Sequence, residues 1–162
     1  MIGKKGLSQV IGTVLMVLIT LALIAGLWGP IQSFMTKNID KAEACTGNFE
    51  KIVLNNEYTC YNSTSNETYV SIGMKDIDID SLLIAVNYKD DSKLFRVENG
   101  SNTIDGVSNY FDRSATIQLP KKNSGKTYVV KGPGRPVIIN IAPKIMDEQC
   151  DVIDKMEPVG IC

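Results

Sequence analysis

Residues 7–28 read LSQVIGTVLMVLITLALIAGLW, from Leu7 to Trp28, and no charged residue occurs between Lys5 and Lys37. A bilayer core needs about 20 mostly apolar helical residues, and this run supplies them. Twelve of its residues are Leu, Ile or Val, each worth about −0.3 to −0.6 kcal/mol at a helix centre, so their sum is on the order of −5 kcal/mol. That outweighs Ser8, Gln9, Thr13 and Thr20, which sit near one end or can bond back to the helix. The segment is expected to enter a membrane. Lys4 and Lys5 precede it with no acidic residue nearby, so the positive-inside rule places Met1–Gly6 in the cytoplasm and everything after the helix outside.

The 162 residues leave room for one modest domain beyond this helix, and a net charge of −1 offers no basic field for nucleic acid. Histidine is absent, which removes the commonest general base and metal ligand and every triad built on them. The sequence shows no paired acid and base, activated nucleophile or cofactor fingerprint, so no enzyme activity, cofactor or metal is expected. Gly132-Pro133-Gly134-Arg135-Pro136 lacks the ending of a phosphate loop and opens a strand, so it reads as a turn. The carboxylates of Asp76, Asp78 and Asp80 alternate with isoleucines and would share one face of a solvated edge strand. They lack the spacing of a calcium loop.

Cys45, Cys60, Cys150 and Cys162 all follow the apolar run. An even count beyond a membrane segment reads as a disulfide framework in an oxidising space, with three connectivities open. Asn62, Asn66 and Asn99 begin N-x-S/T sequons in expected loops and are candidates for N-glycosylation. Pro30 should kink or locally unwind the helix, after which Ile31, Phe34, Met35 and Ile39 continue at helical spacing to about Ala44.

The remainder reads as β. Strands are expected at 49–54, 68–74, 82–87, 93–97, 115–119, 127–131 and 137–142, with Val70, Ile72 and Met74 on one face and Val137, Ile139 and Ile141 on another. Long polar connections are expected at 61–67 and 98–114, the second carrying Ile104, Val107, Tyr110 and Phe111. The expected fold is α+β: a long hydrophobic N-terminal helix followed by an all-β immunoglobulin-like sandwich with disulfides. A buried tryptophan is missing from that pattern, because Trp28 is the only one.

The N-terminal residues KKGLSQVIGTVLMVLITLALIAG resemble the class III signal of archaeal type IV pilins, with two basic residues and a glycine before a retained apolar helix. The match is closest to pilins of the SPVIGVILMVAITV type, here Ser8 to Val17, and less close to archaellins. Bacterial pilins carry a glutamate at the fifth mature position, which here is Ile11. The resemblance implies removal of residues 1–6 by a prepilin peptidase at the junction Lys4, Lys5, Gly6 and Leu7. It implies residues 7–44 as the assembly and transmembrane helix and 45–162 as an extracellular domain.

It further implies a pilus assembly platform and identical subunits as partners in a helical homopolymer. Leu7, Val10, Ile11, Val14, Leu15, Leu18, Leu21 and Ile24 would pack helix on helix. A helix that is apolar all round must be buried on all sides, first by lipid and then by copies of itself. The expected product is therefore a surface filament subunit for adhesion. A membrane-anchored extracellular binding or accessory protein is the alternative, and an archaellin for motility a third.

Overall fold

The computed structural model describes the backbone of residues 5–47, 50–100 and 102–162; side chains at 5–10, 37, 38 and 40–44 lie outside the description. The chain divides into two compact units, 1–42 and 43–162. One helix, α1 (Lys5–Thr46, 42 residues), runs without a break in its helical assignment through Pro30. The expected unwinding there is not found. Polar side chains along it are satisfied locally: Thr20 Oγ1 donates to the Val17 carbonyl at 2.8 Å and Thr36 Oγ1 to that of Gln32 at 2.8 Å.

The second unit is a β-sandwich. Its strands are β1 (Ile52–Leu54), β2 (Cys60–Asn62), β3 (Glu67–Met74), β4 (Ser81–Asn87), β5 (Ser92–Glu98), β6 (Asn102–Thr103) and β7 (Val107–Asn109). They continue with β8 (Thr116–Ile117), β9 (Ser124–Lys131), β10 (Ile138–Ile145), β11 (Glu148–Gln149), β12 (Asp154–Met156) and β13 (Gly160–Ile161). One sheet has the order β13-β2-β3-β9-β7, with β1 also on β3. The other has the order β11-β10-β4-β5, with β12 also on β10, and β6 pairs β8 separately.

Strand order follows from four changes of sheet, the last of which returns the chain to the first sheet as β13. The chain crosses after β3, pairs β4 with β5 as a hairpin (Ser81↔Glu98 to Asn87↔Ser92), and returns so that β9 lies antiparallel to β3 (Glu67↔Lys131 to Met74↔Ser124). It crosses again to lay β10 against β4 (Ile138↔Asn87 to Lys144↔Ser81). With β1/β2, β3, β9 and β7 as A, B, E and D, and β5, β4, β10 and β11/β12 as C′, C, F and G, this is immunoglobulin-like topology.

Alternation fills one core between the two sheets. Val70 and Ile72 of β3 and Tyr128 and Val130 of β9 face Leu82, Ile84 and Val86 of β4 and Ile139 and Ile141 of β10, all fully buried in one cluster. Val137, expected on the same face as Ile139, precedes β10 and is exposed. All seven expected strands exist, with altered ends, and Phe49 of the first lies outside the described residues. The expected loop at 61–67 is instead a hairpin between β2 and β3.

Asp76, Asp78 and Asp80 form no strand. They lie on the irregular link from β3 to β4, where Ile77 and Ile79 turn into the core and leave the carboxylates in water. Lys122 bridges Asp78 at 2.6 Å and Asp76 at 3.6 Å. The Asp80 carboxylate accepts the Asp147 N–H at 2.8 Å.

One end of the sandwich is closed by a tight backbone approach. The Gly132 N–H reaches the Asn66 carbonyl at 3.5 Å. A Cβ at Gly132 would lie 1.9 Å from the Tyr88 hydroxyl oxygen and 2.2 Å from its ring, and Tyr88 is buried. Arg135, two residues on from the Pro133 turn, donates from Nε to the Val159 carbonyl at 2.8 Å and ties that turn to the C-terminal segment. Gly132→Ala should therefore destabilise the domain by about 1–3 kcal/mol, as overpacking of a buried ring does. In a Tyr88→Ala background the same substitution should cost clearly less. Equal costs in urea unfolding of the two backgrounds would contradict the close approach.

Candidate functional site

The feature with the strongest physical demand is the outer surface of α1. Within the 26-residue stretch Ile11–Thr36 the most apolar 18 residues have a mean hydropathy of 2.4, and none of that window is buried. Of the expected packing set, Ile11, Val14, Leu15, Leu18, Leu21 and Ile24 are 53–61 % exposed. Leu7 and Val10 are helical in backbone and their side chains lie outside the description, as do those of Lys5 and Gly6. Lys4 lies outside the described residues altogether.

The other face is equally bare: Met16, Val17, Ile19, Leu23, Leu27 and Trp28 are 51–71 % exposed. The structure thus singles out no stripe; the apolar surface runs around the whole circumference. Gly12, Gly26 and Gly29 have nothing within 4 Å of a Cβ position, so they leave shallow notches on this surface where another backbone could approach closely. Burying a large apolar side chain is worth about 1.5–3 kcal/mol. Even at half that, the twelve large side chains from Ile11 to Trp28 amount to on the order of 10–20 kcal/mol. That matches or exceeds the net stability of a typical domain, about 5–15 kcal/mol. The helix cannot stay in water, and its length and composition suit a membrane span.

The cysteines resolve into Cys45–Cys150 and Cys60–Cys162, with sequence separations of 105 and 102. The first joins the last turn of α1, inside the second compact unit, to the residue after β11. The second joins β2 to the C-terminal residue, where β13 runs parallel to β2 with Gly160↔Cys60 in register. Neither spans the B and F strands, whose Val70, Ile72, Ile139 and Ile141 lie in one buried cluster. The two bridges fix the ends of the domain, consistent with an oxidising, extracellular setting.

The sequons differ in accessibility. Asn66 and Asn99 are exposed, whereas Asn62 is half-buried and its amide is engaged. Asn62 Nδ2 donates to the Tyr69 hydroxyl at 3.3 Å and its Oδ1 accepts the Thr64 N–H at 2.9 Å. Asn66 sits at φ 53° in the β2–β3 turn with Oδ1 accepting the Tyr61 hydroxyl at 2.6 Å.

The domain also carries a cluster that sequence reading only touched. Tyr69 of β3 and Tyr110, just after β7, stack edge to face with centroids 5.1 Å apart. The Arg113 guanidinium lies 6.0 and 5.9 Å from the two rings and pairs with Glu67 at 3.0 Å. The Glu67 carboxylate, accepting that bond, holds the guanidinium above its ordinary pKa. Two adjacent aromatics in a polar loop signalled Tyr110 and Phe111; Tyr69 and Glu67 became visible only once β3 and β7 were placed beside β9.

Elsewhere, burial pushes the phenols of Tyr128 and Tyr88 up, the Thr68 hydroxyl opposing the shift at Tyr88. Neither the Thr68 nor the Tyr88 hydroxyl has a partner at full hydrogen-bond geometry. Hydrogen bonding to Asp78 raises Lys122, and the Lys144 ammonium lowers Asp147. Among the described residues no group of three or more His, Cys, Asp or Glu is placed to hold a metal ion. No protein-family model matches the chain, and no curated protein is significantly similar to it.

Each bridge closes a loop of about a hundred residues and should contribute about 2–5 kcal/mol, mainly by restricting the unfolded chain. Non-reducing peptide mapping should find Cys45–Cys150 and Cys60–Cys162, and the pair variant Cys60→Ser/Cys162→Ser should unfold at clearly lower urea. Either other connectivity, or an unchanged midpoint in the pair variant, would contradict this arrangement.

Proposed function

We propose that the chain is the structural subunit of an archaeal type IV pilus-like extracellular filament, made as a membrane-anchored precursor and polymerised through α1. One observation carries the proposal: a helix apolar around its whole circumference and exposed from Ile11 to Trp28. In the membrane, lipid covers that surface. Outside it, sister helices can, because among the described residues the β-domain turns its largest apolar cluster inward as its own core. Identical helices packed head to tail do not close into a ring when the rotation is open, and a filament results.

The N-terminal resemblance supports the same reading. Lys4, Lys5 and Gly6 would form the junction cut by a prepilin peptidase and leave Leu7 as the first mature residue. A pilus assembly platform would then extract the subunit. The disulfide-bonded sandwich would form the outer sheath and serve adhesion, without catalytic chemistry, nucleic acid or a cofactor.

Mass spectrometry of the chain from its native host should find Leu7 at the N-terminus, and the protein should sediment with sheared surface material. Gly6→Val or Lys5→Glu should leave the precursor uncut in the membrane. An intact Met1 on a membrane-retained protein would contradict the proposal and favour a simple anchored ectodomain. Normal processing of the junction variants would refute the cleavage assignment.

A further inference from the structure

Phe111 is 99 % exposed, although the loop that carries it is tightly built. The Asn109 N–H donates to the Ser114 carbonyl at 2.9 Å and the Tyr110 N–H to the Thr127 carbonyl at 3.0 Å. The Asp112 carboxylate accepts the Ser114 N–H at 3.0 Å, and Arg113, at φ 53°, is anchored on Glu67. A large apolar ring held in water on a fixed loop costs solvation and contributes nothing to the fold. With Tyr110 beside it the ring offers a stacking face, and a pre-set loop loses little entropy on binding.

The ring stands beside a cleft of about 530 Å³ walled by Asn109, Asp112, Gln118 and Lys126. Gln118, Gly125 and Lys126 also wall a second cleft, of about 690 Å³, that carries Lys121 and Lys122. The two clefts therefore adjoin, and together they form a groove from an aromatic platform to a pair of lysines. Lys122 is occupied by Asp76 and Asp78. Among the described residues Lys121 and Lys126 pair with no carboxylate. The apolar side chains at the base, Ile77, Ile79 and Leu119, are buried in the core, and the exposed side chains along the two clefts include Lys121, Lys122, Asp78, Asp112 and the aromatics Phe111 and Tyr110.

We propose that this groove binds an extended anionic polysaccharide of uronate type. One pyranose would stack on Phe111, and carboxylates further along would meet Lys126 and Lys121. A pyranose ring offers a flat face of polarised C–H groups, which suits the negative face of an aromatic ring, and a rim of hydroxyls that suits Asn, Gln and Asp side chains. A polyphosphate offers no ring to stack on Phe111. The groove lies wholly within the β-domain, so the inference does not rest on filament assembly. Asn99 lines the second cleft, so a glycan carried there would compete for it.

The test uses the full chain in detergent carrying Asn99→Gln, measured by biolayer interferometry on immobilised polygalacturonate, with dextran and an oligo-dT strand as neutral and polyanionic controls. Polygalacturonate should bind in preference to both controls, and more weakly at high salt. Phe111→Ala, which removes no packing and should leave the melting temperature unchanged, should weaken binding roughly tenfold, as should Lys121→Glu/Lys126→Glu. Absence of polygalacturonate binding, equal binding of oligo-dT or of dextran, or retention of affinity in Phe111→Ala would each overturn the proposal.

Discussion

Everything in this molecule answers to the solvation of α1. From Ile11 to Thr36 the helix carries no charge, from Ile11 to Trp28 it has no polar face, and Thr20 and Thr36 turn their hydroxyls back on their own backbone. An amphipathic helix would have one side to bury; this one has all of them. A bilayer satisfies that demand and so does a bundle of like helices. Either state removes the same surface from water, and so the one segment can act first as an anchor and then as an assembly element.

The β-domain is built so that it does not depend on the helix for its core. Two sheets bury Val70, Ile72, Tyr128 and Val130 against Leu82, Ile84, Val86, Ile139 and Ile141, which is the usual sandwich arrangement. What an antibody domain achieves with a disulfide across the sheets, this domain achieves with aliphatic contacts alone. Its disulfides hold the two places where chain could fray, the entry at Cys45 and the end at Cys162. The tight contact of Gly132 with Tyr88 and the Arg135 bond to Val159 close one end in the same spirit. A domain so stapled suits an exposed setting without chaperones or a reducing pool.

Much of this was legible in the residues and some was not. The helix announced itself by length and absence of charge, and the five long strands β3, β4, β5, β9 and β10 by their runs of strand-forming residues, whereas β1 and β8 shrink to three and two residues. The short strands β2, β6, β7, β11, β12 and β13 span two or three residues each, too few for any period to register; β2, β7, β11 and β12 are strands by register with a long neighbour, while β6 pairs β8 and β13 pairs β2. Asp76 to Asp80 alternate as a strand would, yet the segment must cross from one sheet to the other. Burial of Ile77 and Ile79 sets the alternation there, not pairing. Cysteine pairing was open because it depends on which strand ends converge. The groove was half visible: Tyr110 and Phe111 stood out in a polar loop, but Lys126 joins them only because β9 lies beside β7.

The central claim is that the helix trades lipid for copies of itself. Helical reconstruction by electron cryomicroscopy of sheared surface filaments, at a resolution that traces side chains, tests it most directly. The account predicts density for residues 11–36 in a central bundle, with Ile11, Val14, Leu15 and Leu18 in contact with neighbouring helices and the β-domains outside. If the protein is found only as single copies whose helix is surrounded by lipid or detergent, the account is contradicted.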